Sequence, residues 1–348
     1  MKVLQVAGVD LSLPGGLETH VRELARGLAS RGLEVEVYGR PANCPPLRMV
    51  DRIEPLRYGL IHDHTGSGLP PAIARPPVVR TLHFCVAAKM AAYVRIGRLR
   101  TLVNPANWRA VGLERARVRH AAGLIAVSER VRGEFARWHG TDPARMTVIP
   151  NGASFGAPRE PRERMRHRHG IAADAPVVLT VGRDDFVKGF GLFARAWTRS
   201  GVADRGAVWV TVGGRAQARA ASRIVTGPVS AQEVVDWVHA ADFGAFPSHY
   251  EGCGLALLEM IAGGLYCLTH DVGIAPEVIR LGENGEILAP RVSEWAEALR
   301  RIAAHLPGRP EPGLDPAFGW GPLAARTEAV YRAALARAAD REPAGMRS

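Results

Sequence analysis

The sequence has little cysteine and lacks an apolar run long enough to cross a membrane. Its four cysteines, Cys44, Cys85, Cys253 and Cys267, include no Cys-x-x-Cys pair. A disulfide framework or a structural zinc site is therefore not expected, and reduced thiols in a cytosolic protein fit better. No apolar run approaches the roughly 18–20 residues that span a bilayer. The first eight residues read as a β-strand rather than a signal peptide, so we expect a cytoplasmic protein.

Acidic residues are outnumbered, with 34 Asp and Glu against 45 Lys and Arg and a formal net charge of +11. Such a charge attracts acidic lipid, nucleic acid or phosphorylated substrates. The arginines are scattered through Arg/Ala-rich segments, with no compact basic run and no interleaved aromatic residues. We therefore expect no nucleic-acid partner, whereas peripheral association with a membrane stays open.

The pattern of apolar residues predicts an α/β protein. Short β-type segments alternate with amphipathic segments almost throughout, which is typical of parallel sheets covered by helices. The predicted strands are Lys2–Ala7, Glu34–Tyr38, Val78–Leu82, Leu124–Val127, Val177–Val181, Val208–Val212, Phe243–Phe246 and Tyr266–Thr269. The predicted helices include Leu17–Ser30, Glu114–Ala121, Val234–Ala241, Trp295–Ala304 and Pro322–Ala338.

The length of 348 residues suggests two domains. The turn signal Pro150-Asn151-Gly152 and the Pro/Arg-rich stretch 158–170 separate the two halves. We predict domains over residues 1–155 and 172–315. A second Pro/Gly-rich stretch, 307–321, precedes the final helix, and the tail from Arg341 is expected to fray.

The stretch from Ser248 to Glu277 holds the most informative pattern. Glu251 precedes Gly252 and Gly254, and Glu259 lies eight positions after Glu251 in an apolar helical run. A glycine-rich loop that opens a helix lets backbone N–H groups approach an anion. If the helix starts near Gly254, Glu259 lies about 7.5 Å further along its axis. Two carboxylates beside an anion site can hold hydroxyl groups at two places, as a bound nucleotide sugar requires.

Two further loops suit a phosphate ligand. Arg183 and Lys188 follow the predicted strand 177–181, and cations at the carboxyl end of a parallel strand can hold a diphosphate. The Gly-Lys-Ser/Thr order of a P-loop is absent there. Gly15 and Gly16 lie between the first strand and the first helix, where glycines allow close approach of a ligand phosphate. That loop is not Gly-x-Gly-x-x-Gly, which argues against a nicotinamide site.

The histidines near two strand ends allow two interpretations. His83 follows the predicted strand 78–82 and either contacts a ligand or closes the strand with a hydrogen bond. His62 and His64 lie on one face of a strand because they are two positions apart, which hints at a metal. No third ligand stands at a suitable spacing, so structural histidines are favoured and no metal site is predicted.

These loops resemble the retaining glycosyltransferases of family 4, which have the GT-B fold. That family carries Glu-Gly-Phe-Gly-x-x-x-x-Glu, with Cys253 replacing the aromatic residue here. The other matches are Gly-Gly-x-Glu at 15–18, Thr-x-His at 81–83, Ala122–Glu129, Ile149–Ser154, Gly-Arg-x-x-x-x-Lys-Gly at 182–189, Ala240–Ser248 and Gly282–Gly285. The ordered matches run from residue 15 to about residue 290. Further departures are Ser154, where the family usually has Asp, and the loop Gly213-Gly214-Arg215.

The resemblance implies two Rossmann-like domains that face a central cleft. The acceptor would bind to residues 1–155 and the nucleotide-sugar donor to residues 172–315, and the helix 322–340 would return to the first domain. The implied reaction is metal-independent transfer of a sugar, with retention, from a nucleotide-diphosphate sugar to an acceptor hydroxyl. UDP is the commonest donor nucleotide, and no cofactor is implied.

The resemblance also implies roles for single residues. Glu251 would contact the transferred sugar and Glu259 the ribose. Arg183 and Lys188 would hold the pyrophosphate, and His83 would bind the sugar or position the acceptor. The remaining donor-side positions are Gly15, Gly16, Gly252, Cys253, Gly254 and Leu255.

Two other functions remain open at this point. A sugar-nucleotide epimerase of the same fold would need no acceptor, and a non-catalytic partner protein would bind a nucleotide sugar without turnover. The acceptor itself is not encoded in any motif. The segment 85–107 is a plausible acceptor wall, and lipid-linked glycans, polysaccharides and small natural products are all compatible with it.

Overall fold

The structure, a computed structural model, describes residues 1–13, 15–41, 43–65, 69–73, 75–153, 156–183, 185–310 and 313–340. Ser154 and the tail from Arg341, which carried sequence-based expectations, lie outside these ranges, as do the loop residues Pro14 and Asp184. The chain divides into two compact units. The first comprises residues 1–152 together with the chain from Pro316 onward, and the second comprises Ala153–Asp315.

The first unit contains a parallel seven-stranded sheet in the order β3-β2-β1-β4-β5-β6-β7. Its strands are β1 Lys2–Asp10, β2 Glu34–Arg40, β3 Arg48–Val50, β4 Leu60–Asp63, β5 Val78–Leu82, β6 Gly123–Ala126 and β7 Met146–Val148. Its helices are α1 Gly16–Ser30, α2 Val86–Arg95, α3 Arg100–Val103, α4 Pro105–His120, α5 Glu129–His139 and α12 Trp320–Asp340. The strand order reverses beside β1, and ligands of such sheets bind at the carboxyl ends of the strands flanking that point.

The last helix belongs to the first unit. Leu323, Ala324 and Tyr331 of α12 are buried in one core with α1 and β1. Glu328 accepts a hydrogen bond from Arg31 Nε at 2.6 Å. The chain therefore returns to its first unit after the second unit is complete.

The second unit contains a six-stranded sheet in the order β10-β9-β8-β11-β12-β13. Its strands are β8 Val177–Val181, β9 Val208–Ala220, β10 Arg223–Gly227, β11 Phe243–Phe246, β12 Tyr266–Thr269 and β13 Gly285–Ile287. Its helices are α6 Arg162–Arg168, α7 Phe190–Ser200, α8 Ala231–Ala240, α9 Leu255–Ala262, α10 Ala275–Val278 and α11 Val292–Ala304. The core between the sheet, α7 and α11 is aromatic, with Phe193, Trp209 and Trp295 almost fully buried.

Strand β9 is much longer than the predicted Val208–Val212. Its first half pairs with β10 in parallel register, with Ile224 opposite Val210, and its second half returns along the other side of β10, with Ile224 opposite Arg219. The chain reverses near Gly213 and Gly214, the loop that departs from the family pattern.

The Pro/Arg-rich stretch 158–170, predicted as a boundary, contains α6 and is anchored to the second unit. Asp242, at the start of β11, accepts hydrogen bonds from the guanidinium groups of Arg162 and Arg166 and from Val177 N. Arg159 donates to Asp236. The arginines of this stretch therefore anchor it to the second unit.

The predicted α/β class is confirmed. Four predicted strands, β5, β8, β11 and β12, have the predicted bounds. The strands missing from the prediction are β3, β4, β7, β10 and β13, most of them only three or four residues long. Helix α4 begins at Pro105 rather than Glu114, because Asn104 accepts a hydrogen bond from Ala106 N as its N-cap. Within the described ranges, no helix combines the length and apolar character needed to cross a bilayer.

Candidate active site

An ion pair joins two predicted site residues in the second unit. Lys188 lies in a single 3-10 turn after β8, and Glu251 follows β11. Lys188 Nζ donates to Glu251 Oε1 at 2.7 Å, and both side chains are mostly buried. The two motifs, 63 positions apart, therefore form one site at the carboxyl ends of neighbouring strands.

The ion pair between Lys188 and Glu251 depends on the glycine at position 189. Gly189 has a φ of 69°, and a Cβ atom there would overlap the carbonyl oxygen of Pro247. His249 N donates to Val187 O at 2.7 Å across the same contact. Any side chain at Gly189 would be strained and would push the Lys188 turn away from the segment that carries Glu251.

The predicted helix start after the glycine-rich loop is confirmed. Helix α9 begins at Leu255, and Gly254 is its N-cap with a φ of 103°. No side chain among the described residues caps this end. The first N–H groups of a helix have no intrahelical acceptor and carry partial positive charge. This end of α9 is thus suited to bind an anion.

The loop before α9 is fixed by the chain that follows β12. Gly252 and Cys253 are buried, and Cys253 O accepts a hydrogen bond from Ile274 N at 2.8 Å. The segment Asp271–Glu277 therefore holds the loop in place. Cys253 occupies the family's aromatic position with a smaller side chain.

Glu259 lies in the second turn of α9, and its carboxyl has a raised pKa. Burial raises the pKa of its carboxyl from 4.5 to about 7, and no cation opposes this effect. The described residues provide no ion pair for it. Glu259 is half-buried, and a carboxylate that loses water without gaining a partner is costly for the fold, a cost that hydroxyl donors of a ligand can offset.

Arg183 differs from Lys188 in being exposed. It follows the carboxyl end of β8, and its side chain forms no ion pair within the described part of the chain. Its guanidinium group is therefore free to contact a ligand at the same strand ends.

Gly15, Gly16 and His83 lie in the first unit. A Cβ atom on Gly15 would overlap the carboxylate of Glu18, which folds back over this loop, and Gly16 begins α1. His83 follows β5 and is partly exposed. Burial lowers the pKa of His83 well below 6.5, so its ring is neutral. It stays a prediction that the first unit faces the donor residues across a cleft.

The histidines of the first unit form a cluster that the sequence did not indicate. His62 has a structural role, as expected, because its ring bonds Tyr331 Oη at 2.6 Å and Thr81 Oγ1 at 2.7 Å. His64 Nδ1 instead lies 3.2 Å from His83 Nε2. His20 of α1 packs edge-on against both rings. The pairing of His64 with a residue on another strand could not be read from its own motif.

Some motif residues support the fold rather than the site. Asp242 anchors α6, as described above. Ser128 is the N-cap of α5 and accepts a hydrogen bond from Val131 N. Asn284 closes a turn by accepting from Arg280 N and donating to Val278 O.

Comparison with known proteins agrees with this architecture. The family model described as Glycosyltransferase Family 4 matches residues 41–154, and the model Glycosyl transferases group 1 matches residues 175–305. A D-inositol 3-phosphate glycosyltransferase of Kineococcus radiotolerans is 30% identical over 415 aligned positions, which cover 94% of this chain and 92% of that protein. The chain belongs to glycosyltransferase family 4.

Two solved structures show the same fold. Sucrose-phosphate synthase from Thermosynechococcus elongatus has a TM-score of 0.75 at 19% identity, covering 97% of this chain and 100% of that one. Anabaena HepE in complex with UDP-glucose has a TM-score of 0.68 at 18% identity, covering 98% of each chain. The enzyme is thus a GT-B glycosyltransferase that moves a sugar from a nucleotide sugar to an acceptor, with retention of configuration.

Proposed function

We propose that the second unit binds a nucleotide-diphosphate sugar through the site around α9. The pyrophosphate would lie at the N-terminus of α9, with Arg183 and Lys188 as its cations. Glu251 would orient the transferred sugar. The single observation that carries the proposal is Glu259, a half-buried carboxylate in the second turn of α9 that has no ion-pair partner among the described residues.

The ion pair between Lys188 and Glu251 has a function in this proposal. Lys188 has three donors, so it can keep Glu251 as a partner while it donates to a phosphate oxygen. The pair fixes both groups before the ligand arrives, and preorganised charges stabilise a leaving nucleoside diphosphate without reorganisation during the reaction. We infer that Lys188 and Arg183 stabilise the charge that develops on the leaving diphosphate.

The acceptor side rests on fewer observations. Since the ring of His83 is neutral, it can donate one hydrogen bond and accept another. We infer that it orients a hydroxyl of the sugar or the acceptor. Proton transfer from the acceptor to a donor phosphate oxygen would give same-face substitution, and it requires no carboxylate nucleophile.

UDP is the nucleotide that we propose. The Anabaena HepE structures contain UDP and UDP-glucose, and an Arabidopsis starch synthase of the same fold contains ADP. The fold therefore accommodates both bases, and a direct comparison is needed.

The test is a thermal-shift titration of the full chain with UDP, ADP, GDP and their glucose conjugates. We expect UDP compounds to stabilise the wild type and not Arg183→Ala or Glu259→Ala. Arg280→Ala is a matched control, because Arg280 is exposed in the same unit and should respond like the wild type. Equal stabilisation of the wild type and both site variants would refute the assignment. Chromatographic analysis of the products distinguishes a transferred sugar from an epimerised donor.

An exposed apolar surface in the first unit supports a membrane-presented acceptor. The segment 85–107, considered above as an acceptor wall, forms α2, α3 and the start of α4. Its exposed residues Leu99, Leu102 and Val103, with Trp108 just beyond it, are together called the α3–α4 patch. The exposed cations beside them are Arg98, Arg100 and Arg109. Apolar side chains flanked by cations fit the surface of an anionic bilayer.

We therefore propose that the enzyme acts in the cytoplasm at the inner membrane surface. Co-sedimentation with phosphatidylglycerol vesicles should capture the wild type, and phosphatidylcholine vesicles should capture it less. Leu102→Glu combined with Val103→Glu should abolish capture. Leu281→Glu is the control, because Leu281 is equally exposed but lies in the second unit. Capture that survives the double substitution would contradict the proposal.

A further inference from the structure

Three histidine side chains from separate elements meet in the first unit. His20 comes from α1, His64 follows β4 and His83 follows β5. One ring nitrogen of each lies within 4.8 Å of the others. His20 and His64 are almost fully buried, whereas His83 is partly exposed and provides a route from solvent.

The hydrogen bonding of this cluster is incomplete. Both ring nitrogens of His20 and Nε2 of His64 are buried and form no well-aligned hydrogen bond with the described residues, although Asn151 lies close enough to the His20 ring to interact with it. Buried polar groups nearly always have partners. The neighbouring His62 follows this rule, because both of its nitrogens are bonded. Because Asn151 can pair with only one nitrogen of His20, the other nitrogen is left unsatisfied and indicates a ligand.

The distances fit a metal ion. Zinc binds histidine nitrogen at about 2.0–2.1 Å in tetrahedral geometry, which places two ligand nitrogens about 3.3 Å apart. His64 Nδ1 and His83 Nε2 are 3.2 Å apart, and the ligand nitrogens of all three histidines lie within 4.8 Å of one another.

The His20 ring also has a neighbouring hydrogen-bond acceptor. Asn151 interacts with the His20 ring, and its side-chain oxygen is buried without a hydrogen-bond partner among the described residues. A metal-bound histidine presents its other N–H to such an acceptor, which fixes the orientation of the ring. Asn151 can receive the N–H of His20 in this way.

We propose that His20, His64 and His83 bind one zinc-class transition-metal ion, with a fourth coordination position open to water or a ligand hydroxyl. Three imidazole ligands without a carboxylate favour Zn²⁺, Co²⁺, Ni²⁺ or Cu²⁺ over Mg²⁺ or Ca²⁺. The site goes beyond the transfer reaction, for which the family resemblance implies no metal.

A second group, Cys85, Glu114 and His139, is a weaker candidate. His139 Nε2 is already 2.8 Å from Glu114 Oε2, and Glu114 also accepts a hydrogen bond from Val86 N at 3.1 Å. These contacts already pair His139 Nε2 and Glu114 without an ion, although His139 Nδ1 is buried without a partner among the described residues. It serves as an internal control for the histidine site.

Metal binding would also affect catalysis, a consequence that rests on the proposed role of His83. A ring that coordinates an ion can no longer donate to the sugar or the acceptor. Zn²⁺ should therefore slow release of UDP from the donor reversibly, and chelation should restore it. If Zn²⁺ does not slow the release of UDP, the proposed role of His83 is wrong. The metal-binding test below does not depend on that outcome.

The binding test uses the full chain without a polyhistidine tag, stripped with a chelator and titrated with Co²⁺. We expect visible d–d bands of tetrahedral intensity that saturate at one equivalent, and one retained Zn²⁺ per chain by mass spectrometry after desalting. The double variant His20→Phe and His64→Phe should lose both signals. It should remain folded, because a phenyl ring is similar to an imidazole ring in size and shape.

The control is Cys85→Ser, which should keep the bands and the retained Zn²⁺. The proposal is overturned if the wild type retains no more Zn²⁺ than the double variant, or if Cys85→Ser abolishes binding. The melting temperature without metal shows whether the double variant is folded. If it is unfolded, the single variant His20→Phe with the same Co²⁺ titration decides the question.

Discussion

Replacing Glu259 with glutamine should stabilise the fold and weaken donor binding at the same time. Burial raises the pKa of the Glu259 carboxyl from 4.5 to about 7. Above pH 7 the folded chain must therefore hold a half-buried negative charge that the unfolded chain exposes to water. Glutamine keeps the shape of the side chain and removes that charge.

The magnitude follows from the two pKa values. At about 1.4 kcal/mol for each pH unit between 4.5 and about 7, ionisation costs the folded protein about 3 kcal/mol. Because the pKa of Glu259 is raised in the folded state, its ionisation lowers the free energy of unfolding as the pH increases. Wild-type stability is unaffected below pH 4.5, falls between pH 4.5 and 7, and stays lower above that range. Glu259→Gln should therefore gain nothing near pH 4.5 and about 3 kcal/mol at pH 8.

The assay is denaturant unfolding of the second unit at pH 5 and pH 8. This unit contains four buried tryptophans, Trp197, Trp209, Trp237 and Trp295, so fluorescence reports its transition. Binding should change in the opposite direction, because hydrogen bonds to a charged group contribute about 1.5–3 kcal/mol, or roughly ten- to a hundred-fold in affinity.

Glu251→Gln is the matched control. Its carboxylate is paired with Lys188 at 2.7 Å, so the substitution should not stabilise the protein at pH 8. The reasoning would be refuted if Glu259→Gln had the same stability as the wild type at both pH values, or if UDP bound to it with unchanged affinity.

Three further predictions concern the same unit. Donor affinity, measured by calorimetry, should rise about several-fold from pH 6 to pH 8, because only ionised Glu259 can accept from both ribose hydroxyls; a flat profile would contradict its role. Asp242→Ala should cost about 3–5 kcal/mol in denaturant unfolding, because it leaves Arg166 buried without its partner, and a loss below about 1 kcal/mol would exclude the anchoring role. Gly189→Ala should lower the melting temperature and reduce donor turnover, because its Cβ would overlap Pro247 O. Gly191→Ala is the control and should change neither quantity, because the space around Gly191 is open.

Much of the fold could be predicted because its signals are local. The central strands β8, β11 and β12 are predominantly apolar, as is typical of buried parallel strands. The short strands β3, β7 and β13 carry only three residues each, too few for a periodic pattern. The stretch 158–170 lies beside the division of the chain at residue 152 and contains α6; its composition did not indicate this helix, because exposed arginines and arginines that donate to buried carbonyls look alike in a sequence.

The donor side of the site could also be anticipated from its motifs, since a loop and its helix are adjacent in the chain. The pairing of Lys188 with Glu251 could not, because it depends on which strands become neighbours. Nothing in the spacing of His20 along α1 indicates that it meets His64 and His83. The unpaired state of Glu259 is likewise a property of its surroundings rather than of its motif.

The most direct test of the donor site is hydrogen–deuterium exchange of the full chain with and without saturating UDP-sugar. The account predicts slower amide exchange in residues 182–189 and 252–259, the two segments that would hold the pyrophosphate and the ribose. Unchanged exchange in both segments while the ligand is bound, with protection elsewhere, would contradict the account.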